Sequence, residues 1–207
     1  MTGARHRFEG RIAGVGTTSG TRLVVGRWAR TPLGAFADVM VERADGWRLL
    51  IAPNDAVRQV IETTYVFDEV RIEPVEVSDV AAPTGMPGWR VRTGSLELDL
   101  EVGTRPLLGR LLRLVPRPVA TSRGWATLID PIAGRVVAGV HTRGAARAGR
   151  REWYGATDLH GVVAARGRFD GADLGSVAPV DPPCRFGFSS TPRSPSVTSV
   201  VTTVDQT

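Results

Sequence analysis

The stretch WRVRTGSLELDLEV, residues 89–102, has the clearest secondary-structure pattern in the chain. In its second half Leu96, Leu98, Leu100 and Val102 alternate strictly with Glu97, Asp99 and Glu101. Alternation with a period of two is typical of an antiparallel strand that has one face on the core and the other toward solvent. Gly94 marks a turn or a bulge inside the stretch. The pattern therefore predicts a fold built on antiparallel β-sheet.

The N-terminal side of this stretch predicts a hairpin followed by a short helix. Asp45-Gly46 separates two β-type runs, and Asp-Gly in that position is a strong hairpin signal. Asn54 can then cap a short helix near residues 54–65. The apolar positions with helical spacing in that segment are Val57, Val60 and Ile61. The β-type runs are TRLVVGRWAR at residues 21–30, AFADVMVER at residues 35–43 and WRLLIA at residues 47–52.

A helical pair is predicted near residues 106–138. Pro106 suits a first helical position, and Pro116 ends the first helix. The apolar side of this helix is expected to pack on the core, which is the usual arrangement for an amphipathic helix. Its apolar residues are Leu107, Leu108, Leu111, Leu112, Leu114 and Val115. The second segment starts near Thr121 or Ser122 and has apolar residues at Trp125, Leu128, Ile129, Ile132, Ala133, Val136 and Val137.

The C-terminal third is again β-type. Residues 152–166 predict a strand, and Phe169-Asp170-Gly171 signals a turn after it. Residues 184–190 and 196–204 are expected to form a hairpin. The irregular alternation of strands and helices argues against a doubly wound parallel sheet. We expect an α+β fold, predominantly antiparallel β, with a barrel- or sandwich-like curled sheet and the helices packed on it. The chain is expected to form a single domain over residues 1–207, with loose termini at about 1–6 and 205–207.

The composition excludes several kinds of chemistry. All 26 basic residues are arginine, so no lysine is present to form a Schiff base or to bind phosphates in a P-loop. Cys184 is the single cysteine and cannot form a disulfide within the chain. No apolar run approaches the ~20 residues of a membrane-spanning helix, and no signal-peptide pattern opens the sequence. We therefore expect a soluble, cytoplasmic protein.

Charge is distributed unevenly along the chain. Residues 31–104 carry thirteen acidic residues and six arginines, whereas residues 105–151 carry ten arginines and one acidic residue. Such blocks are typical either of an anionic partner or of segments that pair with each other. The pairing could lie within the fold or across a homodimer.

A candidate catalytic set lies on the strand predicted at residues 152–166. In an extended strand Glu152, Tyr154, Asp158 and His160 would share one face. Asp158 beside His160 would raise the pKa of the imidazole and orient its ring. The same face could equally be the solvent side of a half-buried strand.

A candidate ligand-binding set precedes that strand. Arg143, Arg147, Arg150 and Arg151 are interspersed with glycine and alanine, and guanidinium groups suit carboxylate or phosphate. An alternative is that Arg150 or Arg151 pairs with the acidic face of residues 97–101. The low aromatic content and the absence of any known recognition motif argue against nucleic acid as a partner. Core packing of the leucines argues against a membrane.

Metal and nucleophile signals are weak. The three histidines and single cysteine have no zinc-site spacing, so no structural zinc site is expected and no metal ligands are assigned. A mixed site of histidine and carboxylate ligands assembled in space stays open. Cys184 follows two prolines and is interpreted as a buried residue, and GVGTTSG at residues 14–20 as a hairpin connection. No cofactor can be assigned from these residues.

Three functional hypotheses remain open from the sequence. The first is a binding protein that holds an apolar or anionic small molecule in a barrel or cleft pocket. The second is an acid–base enzyme (lyase, isomerase or hydrolase) that uses His160 with Asp158 or Glu152. The third is an interaction module or homodimer held together by the opposed charge blocks.

Overall fold

The computed structural model describes residues 5–127, 143–146, 150–187 and 190–206. Within these ranges one sheet of 13 strands runs through the molecule. The strands are β1 (Arg5–Thr17), β2 (Arg22–Arg30), β3 (Phe36–Glu42), β4 (Arg48–Ala52), β5 (Glu69–Ile72), β6 (Glu76–Ala81), β7 (Pro87–Arg92), β8 (Leu96–Val102), β9 (Arg143–Ala146), β10 (Arg150–Phe169), β11 (Ala172–Asp173), β12 (Val177–Ala178) and β13 (Ser196–Gln206). The helices are α1 (Asp55–Glu62), α2 (Leu107–Leu114) and α3 (Arg117–Ala120).

The strand order explains why the sheet curls. The order across the sheet is β5-β4-β3-β2-β1-β13-β10-β8-β7-β6, with β9 and β11 added at β10 and β12 added at β1. All neighbouring pairs are antiparallel except β4 and β5, which α1 connects. Arg71 of β5 bonds to Asp170 at the end of β10, and Asp79 of β6 bonds to Arg27 of β2. Both edges of the sheet therefore fold back onto its middle, which gives the predicted curled, barrel-like form.

The apolar core fills the space between the two halves of the curled sheet. We call the sheet face that points into this space the inner face. On β1 to β4 it carries Ala13, Val15, Leu23, Val25, Val39, Val41, Leu49 and Ile51. They pack against Trp89, Val91, Leu96, Leu98, Leu100, Val162, Ala165 and Phe169 from β7, β8 and β10. The alternation seen in residues 96–102 is confirmed, since its leucines are buried in this core.

The outer face of β3 and β4 is covered as well. Val57 and Ile61 of α1 pack there with Met40 and Leu50, and Phe186 closes the cluster. The predicted cap of α1 is present, because the Asn54 side chain accepts a hydrogen bond from the Val57 backbone N–H. These strands are consequently buried on both sides.

The hairpin predicted at residues 184–190 and 196–204 is wrong. β13 instead lies between β1 and β10 in the middle of the sheet, where it pairs along its length with both. In the other segment, residues 184–187 cross the outer face, where the Phe186 carbonyl accepts a hydrogen bond from the Val66 N–H. Burial of Phe186 in the second apolar cluster explains this path.

The predicted helical pair is shorter in its described part, and its apolar side is covered only in part. Leu108, Leu112 and Val115 are half-buried, as expected for a helix that packs on the sheet. Leu107, Leu111 and Leu114 of α2 are exposed, and the buried residue of this helix is Gly109. Residues 123–127 are helical at the start of the second predicted segment, and its remainder to residue 138 lies outside the described residues.

Other expectations agree in part with the structure. Residues 89–102 form the hairpin of β7 and β8, with the turn at Gly94, and Gly46 adopts the positive φ of the hairpin turn between β3 and β4. Pairing extends into the predicted loose ends, since Arg5 pairs with Asp205 and His6 with Val204.

Candidate functional site

A β-bulge at Thr157 divides the predicted catalytic face in two. Tyr154 lies opposite Thr202 and Asp158 opposite Ser199, so β10 has one more residue in this interval than β13. Directly opposite residues of an antiparallel pair share a face, and residues an odd number apart on one strand point to opposite faces. Asp158 therefore lies on the face opposite to Tyr154. His160, opposite Val197, stays on the side of Asp158.

The Asp158 carboxylate is held by Arg105 in the loop between β8 and α2. The guanidinium Nε donates to Oδ1 at 2.7 Å and an Nη donates to Oδ2 at 2.9 Å. The Leu159 backbone N–H also donates to Oδ1. The hydrogen bonds from Arg105 lower the pKa of Asp158 below its ordinary value, against the effect of partial burial. Asp158 is therefore an ionised anchor and a poor proton acceptor at neutral pH.

His160 is oriented by the same loop. Its Nδ1 is 3.2 Å from the Gly103 carbonyl oxygen, and because a carbonyl only accepts, the proton of the neutral imidazole lies on Nδ1. Nε2 then carries the lone pair, 3.7 Å from Oδ2 of Asp158. The predicted proximity of Asp158 and His160 is therefore present, and the ring is positioned to accept a proton at Nε2.

Asp158 belongs to a row of polar residues that crosses four strands of the inner face. Arg27 of β2 lies opposite Arg11 of β1, Arg11 opposite Ser199 of β13, and Ser199 opposite Asp158 of β10. We call these four residues the polar belt. With neighbouring strands about 4.8 Å apart, the belt is about 14 Å long. It runs directly beside the core positions of the same strands.

The arginines of the belt stack on a core tryptophan. The guanidinium carbons of Arg11 and Arg27 lie 5.5 and 5.8 Å from the centre of the Trp89 ring. Both arginines also face one carboxylate, that of Asp79, at 3.9 and 2.8 Å. With Arg105 and Asp158 included, three guanidinium groups face two carboxylates. Among the described residues, this end of the inner face therefore has an excess of positive charge.

Solvent reaches the belt, in contrast to the core beside it. The side chains of Asp158 and His160 are 23% and 35% exposed, and those of Arg27 and Arg11 are 30% and 47% exposed. Two residues further along β13, Val197 is 5% exposed and belongs to the core. The belt therefore lies at the end of the curled sheet, where the apolar core between the two sheet halves ends.

The helices α2 and α3 pack against β10 at this end of the sheet. A Cβ at Gly109 of α2 would lie 2.1 Å from the Leu159 carbonyl oxygen, and one at Gly155 of β10 would lie 2.6 Å from the Ala120 carbonyl oxygen. Both glycines thus permit close backbone contact between helix and strand. The Trp153 indole N–H donates to the Thr121 carbonyl oxygen at the end of α3.

The other sequence-predicted site residues are elsewhere or not described. The Tyr154 hydroxyl hydrogen-bonds to the Tyr65 hydroxyl, on the face away from Asp158. The backbone of Glu152 pairs with Val204, and its side chain lies outside the described residues. Of the predicted ligand-binding set, Arg147 and the side chains of Arg143, Arg150 and Arg151 lie outside them as well.

The acidic face of β8 lines a separate outer groove of about 450 Å³. Asp99 bonds to Arg90 and Arg92 of the neighbouring strand β7. Arg166 and Arg168 of β10 lie opposite Asp99 and Glu97 in the strand register. Acidic and basic groups alternate across this groove, so it has no net preference for an anion. The groove is lined by Arg92, Glu97, Leu98, Asp99, Arg166, Gly167, Arg168, Asp173, Gly175 and Ser176.

Cys184 is buried beside the ion pair of Arg22 and Glu42. Burial raises the pKa of its thiol to about 12, with the nearby Glu42 carboxylate adding to the effect, so the thiol stays protonated.

No group of three or more metal-binding side chains occurs in the described part of the chain. None of the helices described has the length and apolar character needed to cross a membrane.

Sequence reasoning missed Arg11, Arg27 and Arg105. A signal for the first two was present, because Arg11 continues the face of Ala13 and Arg27 that of Val25 with period two. An arginine that continues an apolar face marks the place where the core meets solvent. Arg105 carries no such signal, since a loop brings it to Asp158 across 53 residues of sequence.

Comparison with known proteins leaves the function open. No family model matches the chain, and no curated protein matches it. A solved structure from Nitrosomonas europaea, described as an AttH protein, is similar at 12% identity and a TM-score of 0.32. The similarity covers 98% of this chain and 53% of that one, so this chain spans about half the length of the AttH structure. The assignment of a function therefore rests on the geometry of the site.

Proposed function

We propose that the protein binds a small organic anion with an apolar body at the polar belt. The observation that carries the proposal is that Arg11 and Arg27 face the single carboxylate of Asp79 and remain partly exposed. A guanidinium group with unused donors, in a site of reduced polarity, favours a carboxylate or phosphate ligand. Arg105 is already engaged by Asp158 and contributes less.

The surroundings of the belt favour an apolar ligand body. Val197 and Ala13 border it on the core side, and Val201 lies on the other side along β13. Binding sites of small molecules are commonly apolar with a few polar groups that fix orientation. The space between the sheet halves is filled at the core, so the ligand would lie at the open end of the sheet.

Calorimetric titration with three ligands of equal chain length tests the charge preference. Decanoate, decanol and decyltrimethylammonium share the apolar chain and differ in the head group. We expect decanoate to bind most tightly, and the combined substitution of Arg11→Gln and Arg27→Gln to weaken it by about tenfold or more. Equal affinity for decanoate and decanol, or no binding of decanoate, would contradict the proposal.

Arg27→Gln is also titrated by itself, and Arg90→Gln provides its matched control. Arg90 bonds to Asp99 on the outer face, much as Arg27 bonds to Asp79 on the inner face, and its side chain is 53% exposed. The control removes one positive charge without touching the belt. Loss of decanoate binding in this variant would show that overall charge, and not the belt, attracts the ligand.

A second candidate function is acid–base catalysis at His160. The Nδ1 contact with the Gly103 carbonyl leaves Nε2 as a proton acceptor on the same face as the belt. This role requires chemical change of the bound molecule, whereas the binding role does not. If mass spectrometry after incubation detects a converted ligand, and His160→Gln abolishes conversion but not binding, the enzyme hypothesis replaces the binding one.

A further inference from the structure

Helix α2 presents a row of leucines to solvent. Leu107, Leu111 and Leu114 are 72%, 51% and 77% exposed. At about 100° per residue these three side chains fall within an arc of about 60°. A contiguous cluster of large exposed apolar side chains marks an interaction surface. Gly109, on the opposite side of the helix, packs against the β10 backbone. The helix therefore packs on β10 with Leu107, Leu111 and Leu114 outward, whereas Leu108 and Leu112 are half-buried.

Arginines of the same helix lie next to these leucines and have no charge partner among the described residues. Arg110 and Arg113 lie on α2, and Arg123 follows α3. None of the three has an ion pair or hydrogen bond with the described residues. No acidic residue occurs between residues 102 and 127. The other arginines of this region are engaged, Arg105 by Asp158 and Arg117 by Glu9.

Leucines flanked by arginines match the chemistry of an anionic lipid surface. Apolar side chains enter the boundary between headgroups and acyl chains, while guanidinium groups bind phosphates and keep their stems along the apolar surface. A second copy of the chain fits less well, because pairing the same faces would bring the arginines of both copies together. An acidic protein partner would leave the leucine row without an apolar counterpart.

We propose that α2 docks the protein onto membranes that contain anionic phospholipid. Leu107, Leu111 and Leu114 enter the interface, and Arg110 and Arg113 contact the headgroup phosphates. This docking would bring the open end of the curled sheet close to the membrane, because α2 packs on β10 beside Asp158. The proposal stands independently of ligand binding at the belt.

Vesicle co-sedimentation tests the proposal. We expect the protein to sediment with vesicles of phosphatidylcholine mixed with phosphatidylglycerol, and to stay in solution with phosphatidylcholine alone. Arg110→Gln combined with Arg113→Gln should weaken binding about 30-fold, at about 1 kcal/mol for each arginine. Leu107→Gln, Leu111→Gln and Leu114→Gln combined should weaken it at least as much. Since these leucines are exposed, the variants should keep the circular dichroism spectrum of the parent.

Matched controls make the same changes elsewhere on the surface. Arg166→Gln with Arg168→Gln removes two charges from β10. Leu33→Gln, Ile72→Gln and Val163→Gln replace apolar residues that are 40%, 48% and 53% exposed. The controls should sediment like the parent protein. The proposal fails if the parent does not sediment with the mixed vesicles, or if it sediments equally with both kinds. It also fails if the controls lose as much binding, or if the leucine variant only dissociates a dimer in analytical ultracentrifugation.

Discussion

At the scale of single residues, Asp38 on β3 is a buried carboxylic acid outside the belt. It is 3% exposed, and its Oδ1 accepts a hydrogen bond from the Trp28 indole N–H at 2.8 Å. Gly26 opposite leaves the room for this pair. Burial raises the pKa of Asp38 to about 6, against the hydrogen bond from Trp28, which lowers it. Within the described residues no cation pairs with the carboxylate.

We expect Asp38 to make the protein less stable as the pH rises. Its pKa is about 6 in the folded protein and 3.8 for an exposed aspartate, so the penalty is absent below 3.8 and complete above about 6. A difference of about two pKa units corresponds to about 3 kcal/mol. Asp38→Asn removes this dependence. Urea unfolding of both proteins at several pH values should therefore show the variant gaining up to about 3 kcal/mol relative to the parent between about pH 4 and about pH 7. A constant difference across this range would contradict the assignment.

The position of Asp38 on β3 can be predicted in part from the sequence. Alternation in residues 35–43 places Asp38 on the face of Phe36 and Met40, opposite to Val39 and Val41. It does not reveal that this second face is buried too. That burial comes from α1 and Phe186, which reach the strand from distant parts of the sequence.

At the scale of elements, β10 shows which features of a strand can be predicted from sequence periodicity and which cannot. Periodicity predicts the strand itself. The bulge at Thr157 shifts its register, so Tyr154 and Asp158 lie on opposite faces of the sheet. A bulge of one residue needs no proline or glycine, so a composition-based prediction cannot locate it. The same strand ends at a turn, predicted from Asp170-Gly171, that does carry a glycine and positive φ angles.

Gly109→Ala should destabilise the protein although alanine is the better helix former. Alanine in place of glycine stabilises a helix by about 1 kcal/mol. Here the added Cβ would lie 2.1 Å from the Leu159 carbonyl oxygen, a backbone atom of the sheet, so α2 must move away. We expect a net loss of about 2 kcal/mol in the free energy of unfolding.

Gly124→Ala, in the helical segment at residues 123–127, is the control. Gly124 is helical, and a Cβ there meets nothing within 4 Å. Thermal unfolding should show it unchanged or stabilised by up to about 1 kcal/mol. A stabilising effect of both substitutions would show that α2 does not pack on β10 as described.

At the scale of the whole molecule, one core joins both halves of the sheet. Leu49 on β4 and Leu98 on β8 belong to the same cluster, although their strands lie six positions apart in the sheet. Neither half buries its inner face without the other. The two halves should therefore unfold together.

Leu49→Ala and Leu98→Ala test this coupling. Both side chains are fully buried, so each substitution should cost about 3 kcal/mol. Hydrogen exchange followed by mass spectrometry should show reduced protection in both halves for either variant, because they open in one cooperative unit. Loss of protection confined to β2–β4 for Leu49→Ala and to β7–β8 for Leu98→Ala would indicate two independent units.

The charge blocks of the sequence are partly explained at this scale. Acidic residues of the middle block pair with arginines that are distant in sequence, such as Asp79 with Arg27 and Glu42 with Arg22. Internal pairing thus accounts for part of the asymmetry. The arginines of α2 remain outside it, which is why we assign them to an external anionic surface.

The sequence by itself determined the class of fold, the strands with clean alternation, the cap of α1 and the absence of lysine-dependent chemistry. These depend on local periods, on turn residues and on composition, all of which act over a few residues. Only the tertiary structure decided which faces are buried, where Asp158 points, and that Arg105, Arg11 and Arg27 meet at one end of the sheet. The physical reason is that burial and charge pairing depend on which distant strands and loops lie opposite each other. A bulge of one residue changes which side chains share a face, and a glycine such as Gly109 lets a helix pack closely on a strand. Neither change is visible in the local sequence pattern.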